Sequence, residues 1–375
     1  MCGWFLFLTW LFGIGLAVAD LGVRRLKRTH NHTGVRVTVI VPARDEGQKI
    51  AECLRSLLES SFESLCVIAV NDRSQDDTGD VMDVIAEKDS RLQVIHLTEL
   101  PEGWLGKNHA MSVAAKSANG DFLLFTDGDV LFEPDAIPAA IAHAELAKLD
   151  HLCLLPSMIS GGYFEDALVS FFGLIFAVGT QTWLVRSPLR RAYVGVGAFN
   201  LVRQSVYEKL GGHEPIRMDV LDDVKLGKLI KGNGFRSDVL HSGGLLKIRW
   251  QSSTWGVICG LEKNAFAALD YSVLKMAIAT VACSVVFFVP YAGVFCLEGR
   301  LGYGYLATVV LAHLLYSAIG CLFGGGWRII PALPFAAVMM LFAFWRSTLK
   351  TLSRGGIVWR DTFYPLDTLR RNLYR

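Results

Sequence analysis

The sequence predicts a doubly wound α/β domain flanked by apolar segments long enough to cross a bilayer, and three observations predict it. Short β-branched runs alternate with stretches of helical periodicity from residue 37 to residue 125, which is the order of a right-handed parallel sheet. Uncharged runs of a length suited to ~30 Å of hydrocarbon lie near both ends: Met1 to Ala19, Met276 to Leu297 and Tyr303 to Trp327, with a shorter one from Ile329 to Trp345. The composition, 52% hydrophobic against 19% charged with a mean hydropathy of +0.37, is too apolar for an ordinary soluble enzyme.

These runs divide the 375 residues into an N-terminal anchor (1–22), an α/β domain (31–271), an apolar C-terminal region (276–345) and a basic tail (346–375). The first run has no basic residues before it and no small-residue cleavage site, so it reads as an anchor rather than a signal peptide. Arg24, Arg25, Lys27 and Arg28 follow it, and the positive-inside rule then places the α/β domain in the cytoplasm of a multi-pass protein of the cell's inner membrane. A net charge of +2, with no basic stripe interleaved with aromatics, gives no ground for a nucleic-acid partner. The eight cysteines are scattered without CxxC spacing, so they form neither a disulfide framework nor a metal cluster.

Within the domain, Val37 to Val41 is a β-branched run closed by Pro42, and Cys66 to Val70 is closed by Asn71-Asp72; both have the character of buried strands. Ile50, Cys53, Leu54, Leu57 and Leu58 between them recur at helical spacing. A helix over Thr78 to Ala86, a strand over Gln93 to His96, a helix over Asn108 to Ser117 and a strand over Phe122 to Phe125 complete the pattern. In such sheets ligands lie beyond the carboxyl ends of the strands, which are the segments at Pro42, Asp72 and Thr126.

No GxGxxG or P-loop follows any of these strands, which excludes the usual dinucleotide-binding and ATP-hydrolysing turns. Asp127-Gly128-Asp129 directly follows the strand at Phe122 to Phe125. Carboxylates two residues apart point to one side, and the glycine between them permits close backbone approach. They supply hard oxygen ligands for a divalent ion, Mg²⁺ or Mn²⁺, that also binds diphosphate oxygens. The same pair is compatible with a solvated turn.

Five stretches in order then resemble the family 2 glycosyltransferases. They are Val-Pro-Ala-Arg-Asp-Glu at 41–46, Val-Asn-Asp-Arg-Ser-Gln-Asp-Asp-Thr at 70–78, Gly-Lys-Asn-His-Ala at 106–110, Thr-Asp-Gly-Asp at 126–129 and Leu-Asp-Asp-Val-Lys-Leu-Gly at 221–227. The resemblance is to the membrane-bound branch that includes carotenoid, hopanoid-associated and ceramide glycosyltransferases. It implies a GT-A fold and a nucleotide-diphosphate-sugar donor, with Pro42, Arg44, Glu46 and Asp72 lining the nucleotide pocket. It further implies Lys107 near the diphosphate, Asp127 on the sugar-nucleotide, Asp127 and Asp129 on the metal, and Asp223, with Asp222 beside it, as general base. The implied reaction is an inverting transfer in which an aspartate deprotonates the acceptor hydroxyl opposite the leaving diphosphate, with a membrane lipid of isoprenoid or sphingolipid type as acceptor.

Processive synthases of the same family carry a Gln-x-x-Arg-Trp signature. Here Leu246 stands in the place of the glutamine and only Arg249-Trp250 remains on the acceptor side. A processive polysaccharide synthase and a non-catalytic membrane partner with this fold are the competing functions. Glycines 195 and 197 in the segment from Tyr193 to Asn200 are either an acceptor-side turn or structural. Ala167 to Val185 is also uncharged and long enough to span. A crossing there would separate Asp129 from Asp223, so it is expected to be an interfacial, acceptor-groove helix. Among the C-terminal runs, Ile329 to Trp345, with Pro331 and Pro334, is the one expected to be re-entrant.

Overall fold

The computed structural model describes residues 2–28, 34–297 and 299–374. Met1 of the expected anchor, residues 31–33 of the expected α/β domain and Arg375 of the expected tail lie outside the described residues.

In chain order, α1 (Cys2–Leu8) and α2 (Gly15–Val23) are joined by a π-helical stretch and precede β1 (Val37–Ala43), α3 (Gly47–Leu58), β2 (Leu65–Asp72), α4 (Thr78–Ala86) and β3 (Leu92–Leu97). There follow α5 (Gly106–Ser117), β4 (Phe122–Phe125), β5 (Val130–Phe132), α6 (Ala136–Leu146), β6 (His151–Leu155), β7 (Ser157–Met158) and α7 (Tyr163–Thr180). Next come β8 (Asn200–Arg203), α8 (Gln204–Lys209), α9 (Asp222–Gly232), β9 (Ser237–His241) and β10 (Leu246–Ile248). The chain continues through α10 (Thr254–Gly260), α11 (Val273–Phe287), α12 (Val289–Cys296), α13 (Gly299–Leu322), α14 (Leu333–Arg354), β11 (Gly356–Trp359), β12 (Thr362–Pro365) and α15 (Leu366–Arg371).

Two compact units result. One comprises Arg24–Ser157, Leu184–Ile248 and Asn372–Arg375, and is built on a seven-stranded sheet of order β3-β2-β1-β4-β8-β6-β9. β1 is buried along its whole length, as a central strand covered on both faces must be, which is why it reads as an unbroken apolar run. β3, β2, β1 and β4 run parallel, while β8 returns antiparallel to both β4 and β6. The chain leaves β1 in one direction for β2 and β3, then comes back to place β4 on the other side of β1. The carboxyl ends of β1 and β4 therefore flank the switch point, where an open α/β sheet leaves its crevice.

The other unit comprises the first helices, Met158–Trp183 and Arg249–Arg371. The α/β domain drawn as one stretch over 31–271 is thus interrupted. α7 is too apolar to remain with the sheet, and within its own unit it packs against α13 and α14. Among the described residues, four helices are long and apolar enough to cross a membrane: Cys2–Asp20, Tyr163–Leu184, Gly302–Leu322 and Trp327–Arg354. The break lies elsewhere than expected. It falls between α11 and α12, which are bent by 41° at Phe288, just before Pro290. Pro334 sits in the first turn of α14, where a missing N–H is harmless, so the proline-bearing run continues unbroken to Arg354. Beyond Arg354 the basic tail is folded as the β11–β12 hairpin and α15.

Candidate active site

Two loops beyond β1 and β2 form a cross-tied cradle. Asp45 and Arg73 both take left-handed backbone (φ 54° and 58°), a strained choice for non-glycine residues. Side chains hold the loops there. The Asp45 N–H donates to Ser74 Oγ (3.1 Å), the Gln75 N–H to Asp45 Oδ1 (2.7 Å), and the Glu46 N–H to Thr78 Oγ1 (2.8 Å). Pro42 is buried in β1 opposite Val70, and Arg44 and Glu46 are half-buried at the mouth of the cradle. Asp72 is buried and gripped by Arg73, whose Nε and Nη2 donate to its two oxygens at 2.7 and 3.0 Å. A carboxylate has about four acceptor positions, so this pairing leaves capacity for a further donor.

Beyond β4 and at the start of α9 the structure brings together the residues expected to do the chemistry. Lys107, in the first turn of α5, reaches Asp127 Oδ1 at 2.8 Å and Asp222 Oδ2 at 3.0 Å. These residues, with Asp223, Thr126, Gly197, Asn200 and His213, line one narrow cleft. Burial opposes the ammonium charge of Lys107, but Asp127, Asp222 and Asp223 outweigh it and hold its pKa well above the ordinary lysine value. Burial, followed by the charge of Asp222, raises the Asp223 pKa to about 7, against the lowering pull of Lys107 and of the Val224 N–H, which donates to Asp223 Oδ1 at 2.7 Å.

The two glycines of the 193–200 segment are packing contacts of this cleft. A Cβ on Gly197 would stand 2.5 Å from Asp127 Oδ2 and 3.5 Å from Asp223 Oδ2, so its bare backbone leaves the space beside both carboxylates open. A Cβ on Gly195 would meet the Asp223 carbonyl at 1.7 Å.

The residues also fit a divalent ion that arrives with its diphosphate. Burial, then the charges of Asp127 and Glu46, push the Asp129 pKa up to about 6, a repulsion that a cation would relieve. No set of three or more His, Cys, Asp or Glu is arranged to hold a metal among the described residues. One or two protein carboxylates completed by phosphate oxygens is the arrangement that suits Mg²⁺-type ions.

Residues 38–211, from β1 to the turn after α8, match the glycosyl transferase family 2 domain. The chain carries a family 2 glycosyltransferase domain. Its relatives include the 4,4'-diaponeurosporenoate glycosyltransferases of Staphylococcus haemolyticus and Staphylococcus aureus. The first is 25% identical over 232 residues, 58% of this chain and 60% of the relative; the second is 26% identical over 210 residues, 53% and 52%. The chain thus spans between half and three-fifths of the length of these relatives. Among solved structures, the mannosyltransferase PcManGT from Pyrobaculum calidifontis, in complex with GDP-Man and Mn²⁺, superposes with a TM-score of 0.51 at 17% identity, covering 91% of this chain and 99% of that one. The likeness is one of fold, and the fold is GT-A.

Arg249 and Trp250 fall outside the sheet unit that carries this cleft. The Trp250 ring packs on Phe172 of α7 with centroids 4.6 Å apart, and exposed Arg249 stands 3.8 Å from the buried Glu165 carboxylate. The sheet unit holds further residues in or beside this cleft that pattern alone did not single out. Asn108, buried beside Lys107, donates through Nδ2 to the carbonyls of Ile216, Arg217 and Asp219 at 2.9, 3.2 and 3.0 Å, which fixes the segment leading into α9. It lay inside the Gly-Lys-Asn-His-Ala stretch, where only the lysine carries charge. His213 lines the cleft and meets the Tyr207 hydroxyl through Nδ1 at 2.6 Å. Burial, then the Lys107 charge, lowers its pKa to about 3, so it enters the site as neutral imidazole. Gly211-Gly212 just before it was the available signal.

Proposed function

We propose that this protein is an inverting glycosyltransferase that moves a sugar from a nucleotide-diphosphate donor to a membrane lipid. The observation that carries the reading is Lys107. One ammonium group ties Asp127, expected on the donor, to Asp222, the neighbour of the expected base, so both carboxylates belong to one cleft. The cradle formed by Arg44, Glu46 and Asp72 suits the nucleotide. Asp127 and Asp129 would hold Mg²⁺ or Mn²⁺, which when bound neutralises the charge of the departing diphosphate.

The chain's own residues do the rest. Asp223 accepts the proton of the acceptor hydroxyl, and its raised pKa matches a base working near neutrality. Attack opposite the diphosphate converts an α-linked donor into a β-linked product. The names of the relatives favour an isoprenoid lipid acceptor, and the apolar face of α7 with the Phe172–Trp250 stack suits such a chain. The four helices among the described residues that are able to cross a membrane support an integral, multi-pass protein, and the basic residues after the first support a cytoplasmic catalytic domain.

The test is turnover of UDP- and GDP-sugars by the full-length protein in lipid, with Mg²⁺ or Mn²⁺ and with chelator, alongside mass analysis of membrane lipids for an added hexose. Metal-dependent donor turnover with a hexosylated lipid is the expected result. No turnover of any nucleotide-sugar by folded protein would overturn the reading.

A further inference from the structure

The geometry points to the β11–β12 hairpin as a bilayer-surface seat that takes anionic phospholipid headgroups; this rests on the reading that the apolar helices cross a membrane. Four observations within the helical unit carry it. First, the hairpin begins two residues after α14 ends at Arg354, so it emerges where an apolar helix of spanning length runs out. Second, the hairpin has two apolar faces. The cross-strand pair Ile357–Tyr364 is buried (4% and 7% exposed), whereas the next pair, Val358–Phe363, is half exposed at 49% each. A directly paired Val and Phe turned outward is an unusual choice for a strand edge facing water, which is ordinarily charged.

Third, the surroundings carry surplus positive charge. Arg346, Lys350 and Arg354 lie one turn apart along α14 and all converge on the single carboxylate of Glu262, at 3.2, 2.7 and 3.1 Å. Three cations on one anion leave a net positive patch. Fourth, aromatic rings lie beneath neighbouring cations. Lys263 Nζ stands 3.4 Å above the Trp359 ring, and the Arg346 guanidinium 5.0 Å from that of Trp255, which is itself half exposed. Aromatic rings, outward apolar side chains and cations at the end of a spanning helix form the composition of a membrane–water interface. Basic groups there attract anionic lipids at about a fivefold gain in association per charge. Neutral headgroups would leave the positive patch unmatched, so the occupant assigned is an anionic phospholipid.

The test uses full-length protein in nanodiscs of phosphatidylcholine alone or with phosphatidylglycerol. Phe363→Cys carries a polarity-sensitive fluorophore, and the exposed Cys2, Cys259, Cys296 and Cys321 are replaced by Ser. The expected result is a blue-shifted emission, quenched by spin-labelled lipid, that grows with the anionic fraction. Lys350→Gln should weaken that dependence about fivefold. Emission typical of water in both lipids would overturn the inference. So would a shift that is equal in neutral lipid and indifferent to Lys350→Gln, or one reproduced by inorganic phosphate in neutral discs. Alkaline extraction of the protein from membranes separates the two failures: release sinks the membrane reading, while retention with a water-exposed label sinks the hairpin alone.

Discussion

Replacing Gly195 by Ala tests whether the position of Asp223 is set by backbone packing. The new methyl would lie 1.7 Å from the Asp223 carbonyl oxygen and 2.1 Å from its carbon, whereas ordinary contact begins near 3.4 Å, so about 1.7 Å of separation has to be opened. That carbonyl already accepts from Asn200 Nδ2 at 3.3 Å, and the Asp223 carboxylate is bound to the next N–H of the same turn, so the side chain moves with the backbone. A displacement of ~1 Å at a reacting group lowers a rate roughly 10²-fold. The expected outcome is a kcat for transfer reduced by about that factor, with nucleotide-sugar affinity nearly unchanged because the cradle after β1 and β2 is untouched. Gly232→Ala, at the end of the helix that carries Asp223, is the control. Nothing stands within 4 Å of its Cβ, and helix propensity gains up to ~1 kcal/mol. Initial rates, calorimetric nucleotide binding and denaturant melts on both variants decide the matter. Wild-type kcat in a normally folded Gly195→Ala protein refutes the reasoning, and so does a loss of kcat, binding and stability together.

Five further outcomes are expected. Asp129→Asn should abolish metal-dependent donor turnover while the protein still melts cooperatively; near-normal turnover at saturating Mg²⁺ or Mn²⁺ would remove Asp129 from the site. For wild type, kcat/KM should fall as pH drops through about 7, where Asp223 takes up its proton, and Asp223→Asn should lose ~10²–10⁴ in rate along with that limb of the profile. Because the Asp223 pKa is raised on folding, its stabilising contribution is complete below its unfolded value and lost as pH rises through about 7; Asp223→Asn should therefore gain more in melting temperature over wild type at pH 8 than at pH 5. Asn108→Ala removes the amide donor from three carbonyls, of which those of Ile216 and Arg217 keep the Asp219 and Leu105 N–H groups while the buried Asp219 carbonyl loses its donor, and should cost roughly 1–3 kcal/mol in urea unfolding; an unchanged midpoint would mean the segment into α9 is held by other groups. Phe172→Glu, which breaks the stack on Trp250, should weaken transfer to a lipid acceptor and spare donor hydrolysis, whereas equal loss of both would make α7 a packing helix only.

The centre of the parallel half of the sheet was legible because β1 and β4 are buried along their whole length and are followed directly by polar residues. Phe122–Phe125 is bounded as its sequence suggests, and Val37–Ala43 exceeds the apolar run by two residues. β8 was not legible. Asn-Leu-Val-Arg is too short for any periodicity, and its place beside β4 is set by pairing with residues more than 70 positions away. The site shows the same division. Charged residues such as Lys107, Asp127 and Asp223 announce themselves in a sequence, while Asn108 and Gly195 act through the carbonyls and backbone of segments distant in the chain. The hairpin after Arg354 was hidden by its basic composition, which suggests a solvated tail until the alternation of Ile357 and Val358 against Tyr364 and Phe363 is seen paired.

Helix geometry separates the roles of the two adjacent aspartates. Successive residues of an α-helix point ~100° apart, so Asp222 and Asp223 in the first turn of α9 cannot face the same partner. Asp222 is the one that takes Lys107, sharing the ammonium with Asp127, and this arrangement keeps the lysine charged and fixes its direction. Asp223 feels that charge less than it feels burial and the anion of Asp222, so its proton affinity rises towards neutrality. On the proposed mechanism the acidic pair would divide its labour: one carboxylate would hold the cation that links the donor and acceptor sides, and by doing so it would place a negative charge next to the other, making that one basic enough to accept a proton at working pH. A single aspartate at this position could provide the link or the base, and on that mechanism the Asp-Asp sequence at the start of α9 would provide both.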